Sequence, residues 1–214
     1  MPSVAIIDYE MGNLHSIAKA MEHVAPDTRV LVTADAEVIL SADRVIFPGV
    51  GGIGHCMDAL QRTGLDRVVR EAAASRPLLG ICLGMQALLG SSEENGGTTC
   101  LGLVPGEVRR FEDGRADSAT GEKLKIPHMG WNQVHHDGHT LWEGIAQDSR
   151  FYFVHSYYAA PARQADRSGS ADYGGPFCCA LAHENVFAVQ FHPEKSQRAG
   201  LNLLENFSRW DGHP

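Results

Sequence analysis

The run Pro77-Leu78-Leu79-Gly80-Ile81-Cys82-Leu83-Gly84-Met85-Gln86 constrains the fold more than any other part of the chain. A short apolar segment leads into a cysteine with glycine two residues to either side, and helix formers follow from Met85 to Leu89. A strand turns that sharply into a helix only where glycines clear the bend of side chains. The segment therefore predicts a strand buried on both faces, a tight turn with Cys82 at its tip, and a helix.

The rest of the first half agrees. Apolar runs rich in Val, Ile and Phe recur at Val4 to Ile7, Arg29 to Val32, Val45 to Phe47 and Leu78 to Ile81, as in strands covered on both sides. Between them, Leu14-x-x-Ile17-Ala18-x-x-Met21 and Leu65-x-x-Val68-Val69-x-x-Ala72 carry the i, i+3, i+4, i+7 spacing of amphipathic helices. Alternating strand and helix predicts a parallel sheet with right-handed crossovers. The second half changes character: Val104 to Phe111, Phe151 to Ala160, Phe177 to Ala182 and Val186 to Phe191 succeed one another with turns and little helix. They read as antiparallel strands flanking the parallel core. A helix from Ser196 to Trp210 closes the chain, and Pro161 to Pro176, rich in Ala, Arg, Ser and Gly, reads as a surface loop. The expectation is one α/β domain over residues 1–214, a mixed, mostly parallel sheet with flanking helices.

Composition narrows the setting. A formal net charge of -8 with no Lys/Arg run repels a phosphate backbone and argues against nucleic acid. Five cysteines, an odd number without C-x-x-C spacing, suit reduced thiols in a cytosolic protein. Cys178 and Cys179 read as small apolar residues. Neither a signal-peptide pattern nor an 18-residue apolar window appears, so the expected compartment is the cytoplasm, away from membranes.

The chemistry begins at Cys82. A thiol at the head of a helix meets the positive end of its dipole, which favours the thiolate. The backbone N–H of Leu83 points to where an oxyanion would form. A nucleophilic cysteine also needs a proton acceptor held in one tautomer by a third group. Phe191-His192-Pro193-Glu194 ends an apolar run, so His192 and Glu194 project to one side of a strand end. Each motif has a bland reading, a packed cysteine or a solvated histidine, and their coincidence in one chain favours the catalytic one.

Gly49-Val50-Gly51-Gly52-Ile53-Gly54 matches G-x-G-x-x-G, so a dinucleotide-dependent oxidoreductase is a rival reading. The acidic residue expected some 20 positions on is absent from a strand end, since Asp66 and Glu71 fall in a helical stretch, and Pro48 interrupts the passage from strand to turn. The alternative makes the loop a flexible backbone beside Cys82 that offers a second N–H. His135-His136-Asp137-Gly138-His139 raises a metal site, but Asp-Gly marks a turn and successive side chains diverge, so a polar hairpin is favoured. Trp131, Tyr152 and Phe153 read as core or interface aromatics.

Together, PGVG at 48–51, GICLGMQ at 80–86 and FHPEKS at 191–196 resemble the class I, triad-type glutamine amidotransferases. Asp8-Tyr9-Glu10-Met11-Gly12-Asn13 and Lys125-Ile126-Pro127-His128-Met129-Gly130-Trp131-Asn132 narrow the resemblance to the glutaminase subunits of imidazole glycerol phosphate synthases. It implies Cys82 as nucleophile, His192 as base and later acid, and Glu194 as its orienter. It implies an oxyanion hole from the amides of Leu83 and, after a peptide flip, Val50. Gln86 and Glu94 match positions that hold the glutamine head group, with backbone help from Gly49, Gly51 and Gly52 and from His155, Ser156 and Tyr157. Asn13, Tyr152 and Lys195 match positions facing a (β/α)8 barrel cyclase, the partner in a heterodimer that makes imidazole glycerol phosphate and AICAR from PRFAR in histidine biosynthesis. No cofactor or metal is implied. Glu10 departs from the family, which has a small residue there, often Gly. Glutaminases of pyridoxal phosphate or anthranilate synthesis share the triad and are the nearest alternatives.

Overall fold

A computed structural model describes residues 1–117 and 120–213. The first half alternates as the periodicity predicts: β1 (Ser3–Ile7), α1 (Leu14–Val24), β2 (Arg29–Thr33), α2 (Ala36–Ser41), β3 (Arg44–Phe47), α3 (Ile53–Thr63), α4 (Leu65–Ser75), β4 (Leu78–Ile81) and α5 (Leu83–Ala87). The two-residue strands β5 (Ser91–Ser92) and β6 (Thr98–Thr99) follow, then β7 (Gly106–Arg110), β8 (His128–His136), β9 (Ser149–His155), β10 (Tyr157–Pro161), β11 (Arg167–Asp172), β12 (Pro176–His183), β13 (Val186–Val189) and the last helix, α6 (Gln197–Arg209).

The sheet runs β2-β1-β3-β4-β13-β12-β10-β7-β5-β6. The pairs β1/β2, β1/β3, β3/β4 and β4/β13 are parallel, the sheet is antiparallel from β13 through β12 and β10 to β7, and the short β5 lies parallel to β7 and antiparallel to β6. Period-two alternation divides each central strand between two cores. Ala5, Ile7, Val45, Phe47 and Leu78 face α3 and α4, whose Cys56, Leu60 and Val69 are fully buried. Val4, Ile6, Ile46, Leu79 and Ile81 face α1 and α6 through Ile17, Met21, Leu203 and Phe207. The sheet is thus covered on both faces, and the carboxyl ends of β1, β3, β4 and β13 converge at one edge, where open α/β sheets place their sites.

Four expectations are corrected. Val186–Val189 lies parallel to β4, inside the parallel core, and is antiparallel only to β12. The strand expected from Phe151 to Ala160 breaks at Ser156 into β9 and β10, which pair with β8 and β7 respectively. The stretch from Pro161 to Pro176 contains β11, paired to β12 and β8. Its residues have little strand propensity, yet Ser168, Gly169 and Ala171 are buried. Gly169 is needed as bare backbone, since a Cβ there would lie 3.1 Å from Ala180 Cβ and 3.3 Å from Trp142 Cζ2. The last correction is α3, which begins at Ile53 within the glycine-rich stretch.

Candidate active site

Cys82 sits between β4 and α5 with φ 55° and ψ -109°. A non-glycine residue there costs roughly 1–3 kcal/mol and persists only when its surroundings enforce it. The flanking glycines show how. A Cβ at Gly84 would lie 2.0 Å from the Phe47 carbonyl oxygen, and one at Gly80 would lie 3.0 Å from Ala188 Cβ. Without those side chains α5 rests on the backbone of β3 and β4 lies flat against β13. The Cys82 N–H donates to the Val189 carbonyl at 2.8 Å, fixing the turn to β13 as well. Since α5 is only five residues long, its dipole is a lesser influence on the thiol than the sequence suggests.

His192 supplies the larger one. Its Nδ1 lies 2.9 Å from Glu194 Oε1. A carboxylate only accepts, so Nδ1 carries the proton and Nε2 is left for Cys82. Burial pulls this imidazole down, but hydrogen bonds and charge from Cys82 and Glu194 outweigh it and raise it to about 10. The imidazolium is thus held against the sulfur. The His192 backbone is stitched to β9, with its N–H donating to the Tyr152 carbonyl at 2.9 Å. Ser196 Oγ donates to the His192 carbonyl at 2.6 Å and accepts from the Tyr152 N–H at 3.0 Å. Behind the ring, the Glu194 side chain has no solvent exposure. Its Oε1 also accepts from Asn13 Nδ2 at 3.4 Å, and its Oε2 has no protein partner among the described residues.

These groups open onto a cavity of about 340 Å³ lined by Val50, Gly51, Cys82, Leu83, Gln86, Glu94, Pro127, Val154, His155, Ser156, Tyr157 and His192. Most residues expected at the substrate are gathered here. Gly49 and Gly52 stand just behind the lining. Asn13 and Tyr152 back Glu194 and His192 from outside the cavity, and Lys195 is exposed beyond them. Gln86 gives its amide nitrogen to the Tyr157 carbonyl at 2.9 Å and to Gln190 Oε1 at 3.0 Å. Its carbonyl oxygen, with no donor among the described residues, is the end left for a ligand. His155 donates from Nδ1 to the Tyr157 carbonyl at 2.7 Å and accepts at Nε2 from His128 Nδ1 at 2.9 Å. Burial lowers His128 to about 4, and burial followed by the neighbouring His128 and His192 lowers His155 to about 3, so both rings are neutral.

The glycine loop is pinned at each end. Tyr9 donates its buried hydroxyl to the Pro48 carbonyl at 2.8 Å, and Glu94 Oε2 accepts the Ile53 N–H at 3.0 Å at the start of α3. Between the pins the Gly49 carbonyl turns toward Leu83 and accepts its N–H at 3.4 Å. Glu94 also settles the rival reading of this loop: a carboxylate caps the helix start that a pyrophosphate would need. The histidines of the polar hairpin turn to separate protein partners. His136 stacks on Trp142, with ring centroids 4.8 Å apart, and His139 accepts the Leu141 N–H at 3.2 Å. Among the described residues no three His, Cys, Asp or Glu side chains are placed to share a metal ion.

The family model for glutamine amidotransferase class-I matches residues 5–209. The chain belongs to this family. It is 62% identical over 213 residues to the imidazole glycerol phosphate synthase subunit HisH of Methylococcus capsulatus, covering 99% of this chain and 98% of that protein. It is 56% identical to the subunit of the same name from Nitrosospira multiformis, covering 98% and 99%. Among solved structures, PurLQS from Thermotoga maritima superposes with a TM-score of 0.68 at 15% identity, covering 96% of this chain and 97% of that one. A second structure titled glutamine amidotransferase gives 0.69 at 17% identity, covering 95% and 98%. At those identities the structures show the shared fold of the amidotransferase, a mixed sheet with helices on both faces.

Sequence reasoning passed over Gln190, the fully buried polar residue of an otherwise apolar run, Val-Phe-Ala-Val-Gln-Phe. A polar residue in a strand buried on both faces needs a partner, and that was the available signal.

Proposed function

We propose that this amidotransferase is the glutaminase subunit of an imidazole glycerol phosphate synthase. It hydrolyses L-glutamine to glutamate and ammonia, and a (β/α)8 cyclase subunit consumes the ammonia in making imidazole glycerol phosphate and AICAR from PRFAR. The observation that supports the chemistry is a strained Cys82 facing an imidazole whose far nitrogen is locked by Glu194. Full-length identity above half to subunits carrying that name supports the pathway. The chain acts as one glutaminase domain.

The steps follow from the groups present. The Cys82 thiolate attacks the side-chain carboxamide carbon and puts negative charge on its oxygen. Gln86 Oε1 accepts from the substrate's amide nitrogen, and Glu94 faces its α-ammonium. The tetrahedral intermediate collapses as His192 protonates the departing ammonia, leaving a γ-glutamyl thioester. Neutral His192 then takes a proton from water, which attacks the thioester carbon, and the thiolate leaves as glutamate is released. The oxyanion is served by Leu83 N–H and, once the Gly49–Val50 peptide has turned, by Val50 N–H.

Val50, Met129 and Trp131, at 38%, 63% and 44% exposure, are large apolar side chains left in solvent. Trp131 stands edge-on to Tyr152 at 6.0 Å, and Tyr152 holds the His192 backbone. Val50 lines the cavity, Met129 and Trp131 stand on β8, and exposed apolar side chains of this kind suit a permanent partner. Glutamate production with and without the cyclase and a PRFAR analogue tests the proposal. Stimulation supports it, and stimulation by an anthranilate or pyridoxal phosphate synthase instead would replace it.

A further inference from the structure

Gln190 has no exposed surface and lies two residues before His192. The chain bends at Gln190 and Phe191 just past β13, and both side chains, Gln190 and His192, reach the Cys82 sulfur. Burying a primary amide is costly unless its polar atoms are bonded, so where its two ends point is informative. The network fixes this from outside. A backbone carbonyl only accepts, so the group 2.9 Å from the Tyr157 oxygen must be the Gln86 nitrogen. The same nitrogen is 3.0 Å from Gln190, which must therefore present its oxygen to Gln86. The Gln190 nitrogen is left facing Cys82 Sγ at 3.8 Å, within reach of an N–H···S hydrogen bond. Turning the Gln190 amide over would set two nitrogens against each other and aim a carbonyl oxygen at a thiolate.

We propose that Gln190 is a second donor to the nucleophile, holding one amide N–H against the Cys82 sulfur so that the thiolate is stabilised on a side His192 does not reach. The inference rests on the glutaminase reading only in taking Cys82 as nucleophile. His192 serves the thiolate as a charge, but it gives its proton to the leaving ammonia. Gln190 does not titrate and keeps its donor throughout. Its contribution therefore returns when the thioester breaks and sulfur becomes the leaving group again. Gln86 and Tyr157, which line the glutamine cavity, also set the Gln190 amide, so the substrate pocket and the nucleophile share one hydrogen-bonded frame.

Alkylation by iodoacetamide reads the thiolate without glutamine. The remaining cysteines are buried, with Cys56 and Cys178 pushed up to about 12, Cys100 to about 11 and Cys179 raised well above the ordinary thiol value, all chiefly by burial. A Cys82→Ala chain supplies the blank. Gln190→Met keeps length and bulk but removes the donor. Its alkylation rate–pH profile should move about one unit higher, so that alkylation slows about tenfold on the acid limb of the profile, the size expected for one hydrogen bond to a charged group. A folded Gln190→Met chain with the wild-type rate and profile overturns the proposal. Should that variant fail to fold, the side-chain amide resonances of wild-type chain decide: the Gln190 pair should move when Cys82 is alkylated, and an unmoved pair overturns it. Loss of glutamine hydrolysis in Cys82→Ala is scored separately, so failure of the glutaminase reading is distinguishable from failure of the donor role.

Discussion

The Leu83 N–H and the Gly49 carbonyl oxygen lie 3.4 Å apart, so the donor best placed to receive an oxyanion is engaged by the protein's own backbone. A substrate oxyanion and the Gly49 carbonyl cannot share that N–H. Turning the Gly49–Val50 peptide removes the carbonyl and brings a second N–H to the same place. The isolated chain should therefore hydrolyse glutamine at least 10²- to 10³-fold more slowly than the complex with cyclase and ligand, the worth of one oxyanion donor. The difference should appear in kcat rather than KM, because the donor acts on the transition state. Steady-state glutamate production checks it, and equal kcat values with and without partner would mean the hole is preformed.

Cys82→Ala and Cys82→Gly should both abolish hydrolysis, yet differ in stability. Alanine keeps the strain at φ 55°, whereas glycine adopts that angle freely. After the entropy glycine loses on folding, the glycine variant should be about 1–2 kcal/mol the more stable. Urea midpoints of the pair decide the matter. Retained turnover in either would remove Cys82 from the mechanism.

Glu10→Gly should be neutral to stabilising. Glu10 has φ 70°, which favours glycine, and its ion pair with Arg62 is solvent-exposed on both sides. Relief of the left-handed conformation is worth about 1 kcal/mol, and an exposed pair contributes less. A lowered melting temperature would show that the pair outweighs the strain. The same angle accounts for the small residue that the resemblance leads one to expect at this turn.

Stability should fall as pH drops below about 6.5, the unfolded histidine value. His128 and His155 are held neutral by burial, down to about 4 and about 3. Between those limits the unfolded chain binds protons that the folded chain refuses. The contribution of this pair is complete above 6.5 and declines toward the folded values at about 1.4 kcal/mol per pH unit for each histidine. His128→Leu should lower stability at pH 7.5 by stranding His155 Nε2, and should also flatten the acid slope by about one proton. Unfolding free energies measured from pH 7.5 to 5 test both effects, and an unchanged slope would contradict the neutral pair.

Gly200→Ala should weaken the catalytic turn from a distance. A Cβ at Gly200 would lie 2.0 Å from the Pro193 carbonyl oxygen, so α6 would have to lift from the segment carrying His192 and Glu194. Overpacking of this kind costs roughly 1–3 kcal/mol. Melting temperature and kcat should fall together, and a variant normal in both would show that α6 yields freely.

The strands with continuous Val and Ile, β1, β3 and β4, could be read within a residue of their ends because burial on both faces leaves an unbroken apolar signature. The grouping of Cys82, His192 and Glu194 was legible for a related reason, since Cys82 and His192–Glu194 each follow such a strand. What was hidden depends on partners distant in sequence. Gly169 is strand because it pairs with Ala180 and His136, and Trp142 and Ala180 leave little space for a side chain there. The start of α3 is capped by Glu94, 41 residues downstream. Asn13 and Tyr152, expected on the partner's side, touch Glu194 and the His192 backbone, and the first of these contacts links opposite ends of the chain.

The exposed apolar pair on β8, Met129 and Trp131, bears on how the chain is made. Until a partner covers it, that face can adhere to other copies or attract the cell's folding-control machinery. Synthesis of the two subunits in matched amounts would limit the lifetime of uncovered copies, and co-expression with the cyclase should raise the recoverable yield of this chain above that of expression alone.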